Sequence, residues 1–174
     1  MSYAEILNGS RVRLRTPVAE DAEALFARVA SDPEVTRYLS WRPHPSVSET
    51  RRVITTLFNV GEERTWLIES EGQVVGLCGL RRLQPHVVEI GYCLARDWWR
   101  NGLVSEAVSV VLEEARRDSA VYRASAYCHV DNVGSVAVLR RCGLTLEGRL
   151  VRYAMFPNIS DEPQDVLLFG KAVR

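Results

Sequence analysis

The chain lacks any paired-cysteine motif. Its four cysteines, Cys78, Cys93, Cys128 and Cys142, form no CxxC and no Cys/His cluster, so no structural zinc site or thioredoxin-like redox centre is signalled. Each lies in an apolar run, where a free thiol behaves as a small core residue of a protein kept in a reducing compartment. An excess of charge is missing too: 22 Lys and Arg balance 22 Asp and Glu. No general attraction to nucleic acid or to an anionic membrane is therefore expected. No window is long and apolar enough to span a bilayer, and MSYAEILNGSRVRLRT lacks the unbroken apolar stretch and cleavage site of a secretory signal. A cytoplasmic location is expected. Repeats, low-complexity tracts and linkers are absent as well, so residues 1–174 read as a single domain.

What is present is a core: apolar residues make up 47% of the chain. RVRLR at 11–15 alternates with the period of a strand that has one wet face. Thr16-Pro17 opens a helix, with Glu20 and Asp21 at its positive end, and Ser31-Asp32-Pro33 ends it. Residues 33–46 hold three prolines and two aromatics and read as an ordered loop with a short helix. Ser46 to Glu49 caps a further helix that runs to about Asn59. TWLIE (65–69), VVGLCGL (74–80) and VVEIGYCL (87–94) read as consecutive antiparallel strands. Val104, Ala107, Val108, Val111, Leu112 and Ala115 make one helical stripe over 103–116. A strand over 121–130, a helix over 133–141 with Gly143 just beyond it, and strands near 144–152 and 165–171 complete the chain. The order β-α-α-β-β-β-α-β-α-β-β predicts an α/β fold: a mixed sheet of about seven strands with helices on both faces. The unit from Val87 to Val130 is expected to be a parallel crossover.

Chemistry concentrates in EIGYCLARDWWRNGLVSEA, residues 89–107. A strand gives way to a turn at Arg100, Asn101 and Gly102, and then to a helix. The first N–H groups of a helix have no intrahelical partner and lie at the positive end of its dipole, a place that suits phosphate. By itself, Gly102 equally reads as a residue that eases a tight turn. Glu89 is the one ionised side chain in an otherwise apolar strand. It reads either as a base whose pKa burial would raise, or as a carboxylate on a wet face or paired with an arginine. His86 and His129 have no partners at ligand or triad spacing and carry no assigned role.

Three blocks in this order, RLRTPVAEDAEALF, EIGYCLARDWWRNGLVSEA and DNVGSVAVLRRCGLTLEG, resemble the GNAT acetyltransferases over nearly the whole chain. Within them the likeness is to the ribosomal-protein-alanine acetyltransferase (RimJ/RimL-like) group. The resemblance implies a mostly antiparallel GNAT sheet, acetyl-CoA as co-substrate, no metal, and a primary amine as acceptor: a protein N-terminus, an amino acid or a small amine. It implies no nucleic-acid or membrane partner, and a monomer or homodimer. It places CoA against Tyr92, Cys93 and Leu94, where the strand splays from its neighbour. It places the phosphates at Trp99, Arg100, Asn101, Gly102, Leu103, Val104 and Ser105, with Asn132 on the pantetheine and Arg141 near the 3′-phosphate. Arg100 and Val104 depart from the pattern, which has Gly and a small residue there. An arginine in place of Gly strains the turn if φ is positive, or binds phosphate directly; Val104 crowds the approach of the pyrophosphate. Glu89 is implied as the base. Ser135 is implied as the group that assists the leaving thiolate, since Leu139 stands where many GNAT enzymes carry Tyr. Asn132 and Ser135 also read as ordinary helix-cap residues. Tyr38, Trp41, His44 and Tyr153, with Met155 and Phe156, are implied to border the amine. The rival readings are a non-catalytic acyl-CoA-binding or sensing domain, and an interaction module on the same fold.

Overall fold

The computed structural model describes residues 3–174. A first hairpin pairs β1 (Ile6–Asn8) with β2 (Arg13–Arg15). A helical segment follows: a 3-10 turn (Ala19–Asp21), α1 (Ala22–Leu25), a π-helical turn (Phe26–Ala30) and α2 (Pro33–Thr36). Asp32 caps α2, its Oδ1 accepting from Glu34 N–H at 2.8 Å, and Ser46 Oγ accepts from Glu49 N–H at 3.2 Å to start α3 (Val47–Thr56). The meander β3 (Glu63–Ser70), β4 (Gln73–Gln84) and β5 (Val87–Leu94) comes next. Glu71 and Gly72 both have positive φ, 51° and 72°, the left-handed pair that lets a tight hairpin match the strand twist. Then come α4 (Leu103–Arg117), β6 (Arg123–His129), α5 (Val133–Arg141), β7 (Thr145–Ala154) and β8 (Gln164–Ala172).

The strands form one eight-stranded sheet in the order β1-β2-β3-β4-β5-β6-β8-β7. All neighbours are antiparallel except β5 and β6. Two apolar clusters lie against it. One packs α4 onto the strands through Leu103, Ala107, Val108, Val111, Leu112 and Ala115, with Trp66 and Phe169 fully buried beside them. The other gathers Leu25, Val29, Val35 and Ile54 from the N-terminal helices over Leu67 and Cys93. Each buried Leu, Ile or Val side chain stabilises the fold by roughly 1.5–3 kcal/mol.

The sheet has eight strands where the sequence suggests seven. The additional one, β1, is three residues long with only Leu7 buried, too short to show a period. The first helix also starts later than Pro17. Asp21 bonds back to Val18 N–H at 2.8 Å and to Arg15 at 2.6 Å, which holds Thr16 to Val18 out of the helix. In α4, Leu103 enters the core, whereas Val104 is only half-buried.

Candidate active site

The site begins where the sheet comes apart. β5 pairs with β6 only through Val87↔Arg123, Val88↔Ala124 and Glu89↔Ser125, while β4 follows β5 as far as Leu94 and β8 follows β6 as far as His129. Beyond Glu89 the parallel pair has no ladder. The Val88 carbonyl accepts from Ser125 Oγ at 3.3 Å, and the Leu94 carbonyl accepts from Trp99 Nε1 at 2.6 Å. On the other edge, Ala95 N–H donates to Val75 at 2.8 Å. Main-chain groups alternate edges along a strand, so Ile90 and Tyr92 turn theirs toward the gap and Cys93 turns its own toward β4. Gly76 on β4 makes room for this: a Cβ there would lie 2.3 Å from the Cys93 carbonyl oxygen.

β5 runs into the turn before α4, and here Arg100 and Gly102 both have positive φ, 65° and 77°. The arginine therefore occupies a backbone conformation that costs an L-residue about 1–2 kcal/mol. Among the described residues, the N–H groups of Gly102, Leu103, Val104 and Ser105 find no protein acceptor. Arg11 and Glu106, neither singled out in the sequence, brace this turn. Glu106 accepts from the Arg11 N–H at 2.7 Å and from its Nε at 3.1 Å, and Arg11 Nη1 donates to the Asn101 carbonyl at 2.9 Å. Burial pushes the Glu106 carboxyl up, but the Arg11 N–H and guanidinium outweigh it and hold the group below its usual range. Arg141 Nη1 approaches from α5, 3.5 Å from where a Gly102 Cβ would be, and Arg11 Nη2 lies 3.4 Å from the same point. The signal that could have found Arg11 is the outward position it holds in RVRLR, but nothing local says what it reaches.

A cavity of about 700 Å³ runs along this turn, past Trp98, Trp99, Val104 and Arg141, to Tyr92 and the start of α5. Asn132 caps α5, its Oδ1 accepting from Ser135 N–H at 3.0 Å. The helix-cap reading of Asn132 therefore holds, and both Asn132 and Ser135 also line the cavity. A second space of about 440 Å³ lies on Glu89, Arg81, Trp41, Tyr127 and Phe156. Tyr38, Leu39, Tyr92, Cys93, Asn132 and Ser135 border both spaces, which places the junction at the splay. Glu89 Oε1 accepts from Arg81 Nη2 at 2.8 Å, and its side chain is 14% exposed. It is thus both paired with an arginine and part of the cavity wall. Burial pushes the Cys93 thiol up to about 12 and Cys128 up to about 11, so neither is a thiolate nucleophile at neutral pH.

Three residues expected at the amine, His44, Tyr153 and the 46% exposed Met155, border neither space. His44 Nδ1 sits 2.8 Å from Thr50 Oγ1 and its N–H donates to the Ala30 carbonyl at 2.8 Å, so it pins the loop to α3; burial lowers its pKa. Tyr153 is 55% exposed and edge-on to Tyr127 at 5.6 Å, outside the cavity wall, because β7 is the outer strand of the sheet. Tyr38 does reach the junction, stacked on His129 at 5.2 Å, with Phe156 edge-on to the same imidazole at 5.0 Å. Among the described residues no group of three or more His, Cys, Asp or Glu is placed to hold a metal, and no helix is long and apolar enough to cross a membrane.

A family model described as "Acetyltransferase (GNAT) domain" matches residues 11–145. The uncharacterized N-acetyltransferase YoaA of Bacillus subtilis (strain 168) is 34% identical over 160 residues, 88% of this chain and 89% of that protein. The ribosomal-protein-serine acetyltransferase of Escherichia coli (strain K12) is 29% identical over 133 residues, 74% of this chain and 73% of that one. Among solved structures, RimL, the ribosomal L7/L12 α-N-protein acetyltransferase, in complex with coenzyme A, superposes with a TM-score of 0.84 at 24% identity, covering 97% of this chain and 98% of its own. At that identity the likeness speaks for the fold alone. The family match and the YoaA relationship carry the assignment: the chain belongs to the GNAT family of acyl-CoA-dependent N-acetyltransferases.

Proposed function

We propose that this enzyme moves an acetyl group from acetyl-CoA to a primary amine by direct transfer in a ternary complex, in the cytoplasm. The observation that carries the reading is the open edge of β5. Its unpaired Ile90 and Tyr92 main-chain groups lead from the braced turn at Gly102 to the space beside Glu89. A pantetheine arm would pair with that edge as an added strand does. The pyrophosphate would meet the free N–H groups at the start of α4, with Arg11, Arg100 and Arg141 around it. Glu89, through the oxygen not held by Arg81 or through a water, takes a proton from the ammonium, and the amine attacks the thioester carbonyl. A β5 N–H polarises the carbonyl oxygen. Acceptors named for relatives suggest protein N-termini, and the aromatic wall equally admits a small amine.

The test is thermal unfolding with acetyl-CoA against ATP, followed by an amine screen that reads free-thiol release. Ligand at one hundred times its Kd stabilises by about 2.7 kcal/mol, which in a domain of this size raises Tm by roughly 5–10 °C. A saturable rise with acetyl-CoA and none with ATP is expected. Equal responses to both ligands would remove the acyl-donor reading.

A further inference from the structure

We infer that the Tyr92 hydroxyl is a catalytic group that donates a hydrogen bond to the sulfur of the departing CoA thiolate. The inference rests on the acetyl-transfer reading above and adds a residue to it. Six residues border both spaces. Leu39 has no polar side-chain atom and the Cys93 thiol is a weak donor, while Asn132, whose Oδ1 caps α5, keeps only a neutral amide Nδ2 at that helix start. Ser135 also carries a hydroxyl, on a short side chain in the first turn of α5, and is the residue the test sets against Tyr92. Tyr38 lies flat on His129, on the loop side of the junction. Tyr92 differs in where it is rooted. It belongs to the strand whose main chain faces the gap, and its ring packs against the core that holds α4. Its phenol points under the start of α5, where the hydroxyl donates to the Ser135 carbonyl at 3.4 Å. That contact is long, so the proton is weakly held and free to turn to a stronger acceptor.

The protonation state suits a hydrogen-bond donor. Burial pushes the Tyr92 phenol far above its usual value, so it remains neutral across the working range of the enzyme. The step balances without a net proton transfer from Tyr92. The ammonium first passes one proton through Glu89 to water; the neutral amine nitrogen then forms the new C–N bond and loses its second proton to Glu89 or to the water Glu89 orients. The C–S bond breaks with its electron pair on sulfur, against the Tyr92 O–H. As CoA leaves, the thiolate takes a proton from water, and Glu89 returns its own to water. Donors placed in advance in a water-poor site stabilise such charge without reorganisation.

The experiment compares the wild type with Tyr92→Phe on two acyl donors, acetyl-CoA and 4-nitrothiophenyl acetate, whose thiolate is stable enough to leave unassisted. Binding of CoA and Tm are followed in parallel. We expect kcat with acetyl-CoA to fall at least tenfold in Tyr92→Phe, with KM and the CoA-induced Tm shift unchanged, and the two proteins to agree within about twofold on the activated donor. Ser135→Ala serves as the second variant and is expected to show a smaller loss on acetyl-CoA. Equal kcat on acetyl-CoA, or an equal loss on both donors, overturns the role of Tyr92 while leaving acetyl transfer intact. A wild type that releases no CoA with any amine overturns acetyl transfer itself and the inference with it.

Discussion

The two spaces that meet at Tyr92 are built from different material. The larger one is walled mainly by residues of one stretch of chain, Tyr92 to Ser105, and by α5, with Glu34 to Leu39 closing one side, and the main-chain N–H groups at the gap and at the head of α4 face it. The smaller one is walled by side chains from separate segments: Trp41 from the loop, Phe58 after α3, Arg81 from β4, Glu89 from β5, Tyr127 from β6 and Phe156 after β7. A site made of backbone depends on φ, ψ and the spacing of one segment, and tolerates many side chains. A site made of side chains depends on each residue and on the whole fold to bring them together. Replacing a side chain should therefore hurt the smaller space most, and the larger one only where the side chain props the backbone.

The largest effect is expected at Glu89. Glu89→Gln keeps the shape and the place beside Arg81 but removes the proton acceptor, so kcat should fall by about 100-fold. Binding of acetyl-CoA, followed by the Tm shift, should not change. A variant with wild-type rates across pH would move catalysis away from this carboxylate and leave the Arg81 pair as its whole role.

The same division explains what was legible in the sequence. β5, the turn and α4 are consecutive, and their signals are local: an apolar strand, a Gly with φ 77° and a helical stripe. Strand β5 and helix α5 fall where the pattern puts them, at Val87–Leu94 and Val133–Arg141. The strain expected for an arginine at position 100 is present, since its φ is 65°. The smaller space had no such signal. Trp41 and His44 are neighbours in one loop, with rings 5.0 Å apart, yet only Trp41 borders the cavity. Sequence proximity could not tell them apart because the hydrogen bond to Thr50, six residues on, decides which way His44 faces. Arg11 and Glu106 are 95 residues apart, and their pairing exists only once the β1–β2 turn is laid against α4.

That pair is where a side chain props the turn beside the larger space, and it predicts an effect of intermediate size. Glu106→Gln weakens the bonds to the Arg11 N–H and guanidinium, and should reduce stability by about 1–2 kcal/mol at pH 7 and raise the KM for acetyl-CoA several-fold. The pH dependence has a definite sign. The folded pKa of Glu106 lies below the ordinary 4.5, so its contribution is complete above that value and is lost as pH falls through the folded pKa. Unfolding free energies of wild type and variant, measured by urea from pH 7 down to 3, should therefore converge on the acid side. A constant gap at every pH would show that the Glu106 charge contributes nothing.

Arg100 gives the smallest effect and the sharpest test of a site made of backbone. Its guanidinium forms no ion pair among the described residues, its backbone is strained, and it borders the larger space. Arg100→Gly relieves a left-handed conformation that costs about 1–2 kcal/mol but frees the unfolded chain, so the net change in stability should stay within about 1 kcal/mol. If main-chain donors hold the phosphates and Arg100 adds only its charge, the KM for acetyl-CoA should rise by about two- to fivefold at low salt, and that rise should shrink at about 0.5 M salt as screening sets in. A rise that persists in high salt would mean direct bidentate contact with phosphate, and the larger space would then rest on side chains as the smaller one does. A fall in KM would mean that the strained arginine obstructs the turn, and that glycine restores a backbone geometry better suited to the phosphates.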